Sequence, residues 1–275
     1  TKNFWFKKKD GSIIKNSMGK LVPQLDETPE PDRKLMYDAD KALRVRGTKL
    51  FMATRGCPYQ CTYCFNHAYN ALTKGTGEMV RSRSVDSIIH EIKEVQKNFF
   101  MDRVNIDDDI FLLKPKGWLE EFAEKYPKEI GLPLYCNIRP ELVNEKTGYL
   151  LKKIGCQRAA MGIECGNNEV AKKVLKRNTT NEKIIDAVRI LKKNNVKIKL
   201  HNIIGLPISN PLKVDYETLD FNIKLKPHVA GCSILYPYPG TEVAHLAKEM
   251  GMFDGKHEKV QISNKTSSNM QFGSK

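Results

Sequence analysis

The chain has 275 residues, a formal net charge of +14, 40% apolar and 28% charged side chains, an ordinary composition for a globular protein and enough length for one large α/β barrel. No apolar run nears the roughly 20 residues of a membrane-spanning helix, and no apolar signal core follows the Lys-rich first ten residues. Seven cysteines, an odd number with three crowded together, argue against a disulfide framework and for a reducing, cytoplasmic setting.

The positive charge is scattered through helical segments, as at Lys172, Lys173, Lys176, Lys192 and Lys193, with short runs at Lys7 to Lys9 and Lys197 to Lys199. That pattern reads as solvated helix faces, so nucleic acid is not the expected partner.

Residues 1–45 hold Pro23, Pro29 and Pro31 beside the acidic stretch Leu25 to Asp32, which predicts an irregular lead-in or linker. A first strand is expected over Lys49 to Thr54. Ser84 then caps a helix whose Ile88, Ile89, Ile92 and Val95 make an apolar stripe. A second strand over Arg103 to Ile106 precedes a helix opened by Pro115, a residue suited to the first turn. A third strand over Leu132 to Asn137 leads to a helix from about Glu141 to Ile154. A fourth covers Ala159 to Ile163. Thr179 and Glu182 form a capping box for a helix carrying Ile184, Ile185, Val188 and Leu191. Strands over Val196 to Ile204 and Ala230 to Leu235 follow, then a helix from Thr241 to Met250. Residues 256–275 read as a polar tail leading on to a further region, and the opening at Thr1 reads as a segment of something longer.

Strands alternating with helices predict parallel βα units, and six of them suit a partial (β/α)6 TIM-type barrel over residues 46–255. Active sites of such folds gather at the C-terminal edge of the strands. The polar residues obey that placement: Asp107, Asp108 and Asp109 follow the second strand, and Asn137 and Arg139 close the third. Glu164 ends the fourth, Gly205 to Pro207 the fifth, and Tyr236 the sixth.

Cys57, Cys61 and Cys64, after the first strand, have C-x3-C-x2-C spacing. Three such thiolates can hold three irons of a cubic cluster and leave the fourth iron open for chemistry. The same residues with His67 could instead make a Cys3His zinc site.

The loop, with Tyr63 before its last cysteine, resembles that of the radical S-adenosylmethionine (SAM) superfamily. Asp108 to Phe111 is similar to the D-D-x-F of one branch, Gly162 to Gly166 to its G-I-E-S-G with Cys165 for Ser, and Pro237 to Thr241 to its P-x-P-G-T. Ile204 to Pro207 resembles its G-x-P turn, although Ile208 to Asn210 departs from what usually follows. The lead-in Leu25 to Asp32 is most similar to the cobalamin-binding group, where it joins a cobalamin domain to the barrel. No D-x-H-x-x-G signature occurs here, so the cobalamin, if used, is expected on a domain outside this chain.

The resemblance implies a 4Fe-4S cluster on Cys57, Cys61 and Cys64, with SAM on the open iron and reductive cleavage to a 5′-deoxyadenosyl radical. It implies roles for Tyr63 against the adenine, Asp108 for the ammonium of the methionine part (with Asp107 and Asp109 as neighbours), Arg139 for its carboxylate and Glu164 for the ribose hydroxyls. Gly205 would shape a turn near the adenosine, and Tyr236 would flank the cavity. His201, Cys136, Cys156, Cys165 and Cys232 read as core residues. A small-molecule substrate and a reductant such as flavodoxin or ferredoxin are the implied partners. Methyl transfer to an unreactive carbon is the first expectation and oxidative cyclisation the second. Alternatives are a tRNA methylthiotransferase-like enzyme and a non-catalytic zinc protein.

Overall fold

Six parallel strands pair in sequence order: β1 (Thr48–Phe51), β2 (Arg103–Ile106), β3 (Leu134–Ile138), β4 (Cys156–Glu164), β5 (Lys197–Ile204) and β6 (Val229–Ile234). The structure, a computed structural model, describes residues 1–257 and 267–272. Each strand leads to a helix: α1 (Val85–Asn98), α2 (Trp118–Glu129), α3 (Glu145–Ile154), α4 (Asn181–Lys193), α5 (Pro211–Leu225) and α6 (Glu242–Glu249). A sheet with β1 and β6 at its two edges is the partial (β/α)6 barrel that the alternation predicts.

The strand pleat decides what each residue faces. Along β4, Ala159, Met161 and Ile163 are fully buried in the main apolar core, whereas Ala160, Gly162 and Glu164 point to the opposite face and line a cavity. The helices close the outer layer with their apolar stripes. On α1 these are Val85, Ile88, Ile89, Ile92 and Val95, capped by Ser84, whose side chain accepts from Ser87 N at 3.1 Å. Each such aliphatic burial contributes about 1.5–3 kcal/mol.

Several boundaries differ from the expected ones. β1 ends at Phe51, and Thr54–Arg55 instead pairs antiparallel with Arg81–Ser82, turning the chain toward the cysteine loop. Pro115 starts a turn only; α2 begins at Trp118 behind Gly117, whose φ of +85° a side chain would strain. The expected helix from Glu141 divides into a 3-10 turn, Pro140–Leu142, and α3, because Asn144 and Thr147 form their own capping box. Thr180 rather than Thr179 caps α4, accepting from Lys183 N at 3.4 Å, while Thr179 is buried. The sequence pattern marks no helix where α5 lies.

Residues 1–45 are more ordered than their prolines suggest. They contain a hairpin (Trp5–Lys7 with Ile13–Lys15) and short helices Arg33–Ala39 and Lys41–Val45. Asp32 caps the first of these, and Arg33 Nη2 lies 2.6 Å from the buried Glu91 on α1. Much of the expected polar tail, residues 258–266 and 273–275, lies outside the described residues. Of the rest, Met270 is buried in a second apolar cluster with Leu206, Leu235 and Phe253, and Gln271 N donates to Met252 O at 2.7 Å. Cys232 is exposed rather than buried, since β6 is an edge strand.

Candidate functional site

A cavity of about 210 Å³ opens at the C-terminal edge of β1 to β5. Cys57, Cys61 and Cys64 line it together with Tyr63, Asp109, Asn137, Arg139, Glu164, Arg177 and His201. The ring expected at the strand ends thus converges for four strands, and β5 contributes instead His201 from within the strand, a residue expected in the core. The ring does not include the sixth: Tyr236 is not in the lining, and its hydroxyl accepts from Asn269 Nδ2 at 3.1 Å. Gly205 is also outside the lining. Its φ is +72° and its N–H donates to both Asp215 oxygens at 3.2 Å, so it serves the turn after β5, with Phe272 packed where a Cβ would stand.

The cysteine loop is held from below. Thr62 Oγ1 donates to Val174 O at 2.7 Å, and Asn70 Nδ2 donates to Cys57 O at 2.8 Å. Burial pushes the Cys57 thiol up to about 11 and raises that of Cys64, with Asp109 adding to both. Such thiols gain most from a metal that takes over their negative charge. His67 is not in the lining, and its Nδ1 lies 3.0 Å from Cys61 O, which only accepts. A zinc site needs four donors around one point, whereas a cubic cluster asks each thiolate to reach its own iron. The donor set therefore fits the cluster.

Asp108 has to be reassigned. It is fully buried, and one carboxylate oxygen accepts from Ala53 N at 2.7 Å and Thr54 N at 2.8 Å. The other pairs with Lys114, itself 1% exposed. Both oxygens are used within the protein, so Asp108 anchors the chain between β1 and the cysteine loop. Asp109, one pleat further, lines the cavity and accepts from Asn66 Nδ2 at 2.9 Å.

Arg139 is a second correction. It lines the cavity, but its Nη2 and Nε donate to Glu141 at 2.7 and 3.3 Å. Its Nη1 lies 3.4 Å from Cys61 Sγ, and its guanidinium carbon 3.6 Å from the Tyr59 ring centroid. The fork expected to receive the carboxylate of the methionine part is engaged by Glu141.

Arg177 was not legible in the sequence. It is 3% exposed, lines the cavity, and donates through Nη1 to Tyr63 Oη at 3.0 Å and through Nη2 to Gly162 O. Its Nε is buried without a partner. Tyr63 in turn hydrogen-bonds Glu164, and Arg177 Nη1 stands 4.0 Å from Glu164 Oε1. Burial raises the Glu164 carboxyl and Arg177 opposes the rise. The same burial and the Glu164 charge push the Tyr63 hydroxyl well up, so it stays protonated and donates.

Asp109, Glu164, Arg177 and the three thiols thus share one cavity. A methyltransferase of Pyrococcus horikoshii described as uncharacterized is 27% identical over 87% of this chain and 50% of its own length. A bacteriochlorophyllide d C-12(1)-methyltransferase of Chlorobaculum tepidum is 25% identical over 86% and 50%, and a putative methylthiotransferase of Methanocaldococcus jannaschii 26% identical over 80% and 51%. The chain thus spans about half the length of these relatives. The fold is similar to that of the cobalamin-dependent SAM radical enzyme OxsB (TM-score 0.71, 17% identity, 92% of this chain and 42% of that one). It is also similar to the radical SAM methyltransferase TsrM of Kitasatospora setae (TM-score 0.69, 17% identity, 90% and 49%). The sequence profile of the radical SAM superfamily matches residues 51–215, and the chain belongs to that superfamily, whose enzymes pair a 4Fe-4S cluster with S-adenosylmethionine.

Proposed function

We propose that residues 46–255 form the catalytic barrel of a radical SAM methyltransferase acting on an unreactive carbon of a small molecule. The observation that carries this reading is the convergence of three cysteines with Asp109, Glu164 and Arg177 on one cavity at the strand ends. The choice of methyl transfer rests on the relatives named as methyltransferases. Cobalamin enters the proposal through the lead-in resemblance and through TsrM, whose structure was determined with cobalamin and a 4Fe-4S cluster bound. A separate domain would hold it.

In this reading Cys57, Cys61 and Cys64 hold the cluster, which when loaded supplies the electron that cleaves the SAM sulfonium. Asp109 receives the ammonium of the methionine part, a charge-assisted hydrogen bond. Arg177 receives the carboxylate, with Tyr63 fixing its plane and its Nε left without a partner inside the protein. Glu164 accepts from the ribose hydroxyls, and the ring of Tyr63 walls the adenine side. Ile110, Ile138 and Ala160 line the rest of the cavity and exclude water. A low-potential donor such as flavodoxin or ferredoxin would reduce the cluster, and the cytoplasm, where seven free cysteines persist, is the proposed location.

The test is anaerobic incubation of the reduced, reconstituted protein with SAM, followed by assay for 5′-deoxyadenosine and S-adenosylhomocysteine. Either product, absent from a Cys61→Ala variant, supports the reading. A protein that carries zinc and forms neither product contradicts it. Methylthiolation of tRNA is the second reading, with a putative methylthiotransferase among the relatives, and it predicts salt-sensitive RNA binding that the first does not.

A further inference from the structure

Arg139 lines the cavity with each of its three nitrogens already engaged within the protein. Its fork is closed by Glu141, and its remaining nitrogen is aimed at a single sulfur, 3.4 Å from Cys61 Sγ. Cys57 and Cys64 have backbone donors instead, the N–H groups of Tyr59 and Asn66; the charged donor is on Cys61. Arg139 is 7% exposed and its guanidinium lies over the Tyr59 ring, so water screens its charge little. Glu141, in the 3-10 turn just after β3, fixes its orientation and offsets part of its charge. The pair thus places a fixed positive group against one thiol of the cysteine loop and a fixed negative group behind it.

We infer that Arg139 and Glu141 are positioning residues that set the reduction potential of the cluster through Cys61. The inference rests on the cluster reading above. Reduction adds one electron from an external low-potential donor, and the added negative charge spreads over the cluster and its thiolates. A hydrogen bond to a ligand sulfur, and a cation beside it, stabilise the reduced form more than the oxidised one. Removing Arg139 therefore lowers the potential and removing Glu141 raises it. Because both contacts are made through one sulfur, the iron held by Cys61 would be the one the pair influences most.

The experiment is a redox titration, read by electron paramagnetic resonance without SAM, of the reconstituted protein and three variants. Glu141→Gln should favour the reduced cluster about tenfold, which is about 59 mV for a one-electron couple. Arg139→Gln should disfavour it by a larger factor, because Arg139 touches the sulfur and Glu141 acts from behind it. Loss of Arg139 leaves Glu141 partly buried and unpaired, which endangers folding, so the neutral pair Arg139→Gln with Glu141→Gln is included and should fall between the parent and Arg139→Gln. Opposite shifts from the two single changes support the inference, since a merely structural role would not move the potential in both directions. Equal potentials in all four proteins overturn it and leave the cluster reading intact. So does an Arg139→Gln variant with the parent potential and weakened SAM binding, which would return Arg139 to the carboxylate. A parent protein that takes up no cluster removes both.

Discussion

A Cβ built on Gly162 would stand 2.0 Å from Glu164 Oε1. The carboxylate of Glu164 folds back along its own strand and occupies the space that any other residue at 162 would fill. Two backbone features permit this: the register of β4 against β5 shifts between Gly162 and Glu164, and Glu164 adopts a φ of +63°. A non-glycine residue held there costs about 1–3 kcal/mol, which locates strain at the residue proposed to meet the ribose.

Gly162→Ala should therefore displace Glu164 and weaken SAM binding about tenfold or more, while overpacking lowers stability by about 1–3 kcal/mol. Equilibrium dialysis of SAM against the reconstituted protein, together with denaturant unfolding, checks both. Affinity equal to the parent's would mean that Glu164 does not contact the ligand.

The adjacent aspartates should separate by phenotype. Asp108→Asn leaves the buried Lys114 without its counter-charge and should cost about 3–5 kcal/mol of stability. Asp109→Asn should leave stability within about 0.5 kcal/mol of the parent and reduce SAM affinity. Paired unfolding curves and binding isotherms read the contrast. The reverse pattern would return the ammonium to Asp108.

The two cavity arginines should separate as well. Arg177→Lys loses a planar fork that spans Tyr63, Gly162 O and the cavity, and SAM affinity should drop about tenfold, the worth of one good charge-assisted hydrogen bond. Arg139→Lys should leave that affinity close to the parent's. Isothermal titration with SAM under anaerobic conditions distinguishes them.

Asp215 gives a pH signature. Burial raises its carboxyl above the ordinary 3.8, and the N–H of Gly205 only partly opposes the rise. A carboxyl raised on folding supports the native state fully below its unfolded value and loses that support as the pH climbs through its folded value. Asp215→Asn keeps an acceptor for Gly205 N–H and removes the charge. Its thermal midpoint should exceed the parent's near neutrality, and the difference should close as the pH falls below 3.8. A difference independent of pH would exclude burial of the charge as the cause.

What the sequence disclosed was whatever local pattern decides. The cysteine spacing, the strand cores and the residues ending β2 to β4 are set by neighbours within a few positions. The Asp107 to Asp109 run was not resolvable that way, because the pleat alone decides which side chain faces in and the exact end of the strand sets the phase. Arg177 was hidden among Lys172, Lys173 and Lys176, which are exposed as solvated charges should be; only the fold turns Arg177 under the cavity. Arg139 was placed correctly at a strand end, but its capture by Glu141 depends on the 3-10 turn that follows. Helix α5 leaves no stripe in the sequence, because its apolar residues run all round: Val214, Phe221 and Leu225 are buried, whereas Leu212, Tyr216, Leu219 and Ile223 are exposed.

The central claim is that Cys57, Cys61 and Cys64 hold a cluster whose open iron takes SAM. The most direct measurement is the electron paramagnetic resonance spectrum of the anaerobically reconstituted, dithionite-reduced protein, recorded with and without SAM. A 4Fe-4S signal whose g-values shift on adding SAM is the predicted result. A cluster signal indifferent to SAM, or zinc with no cluster signal, would contradict it.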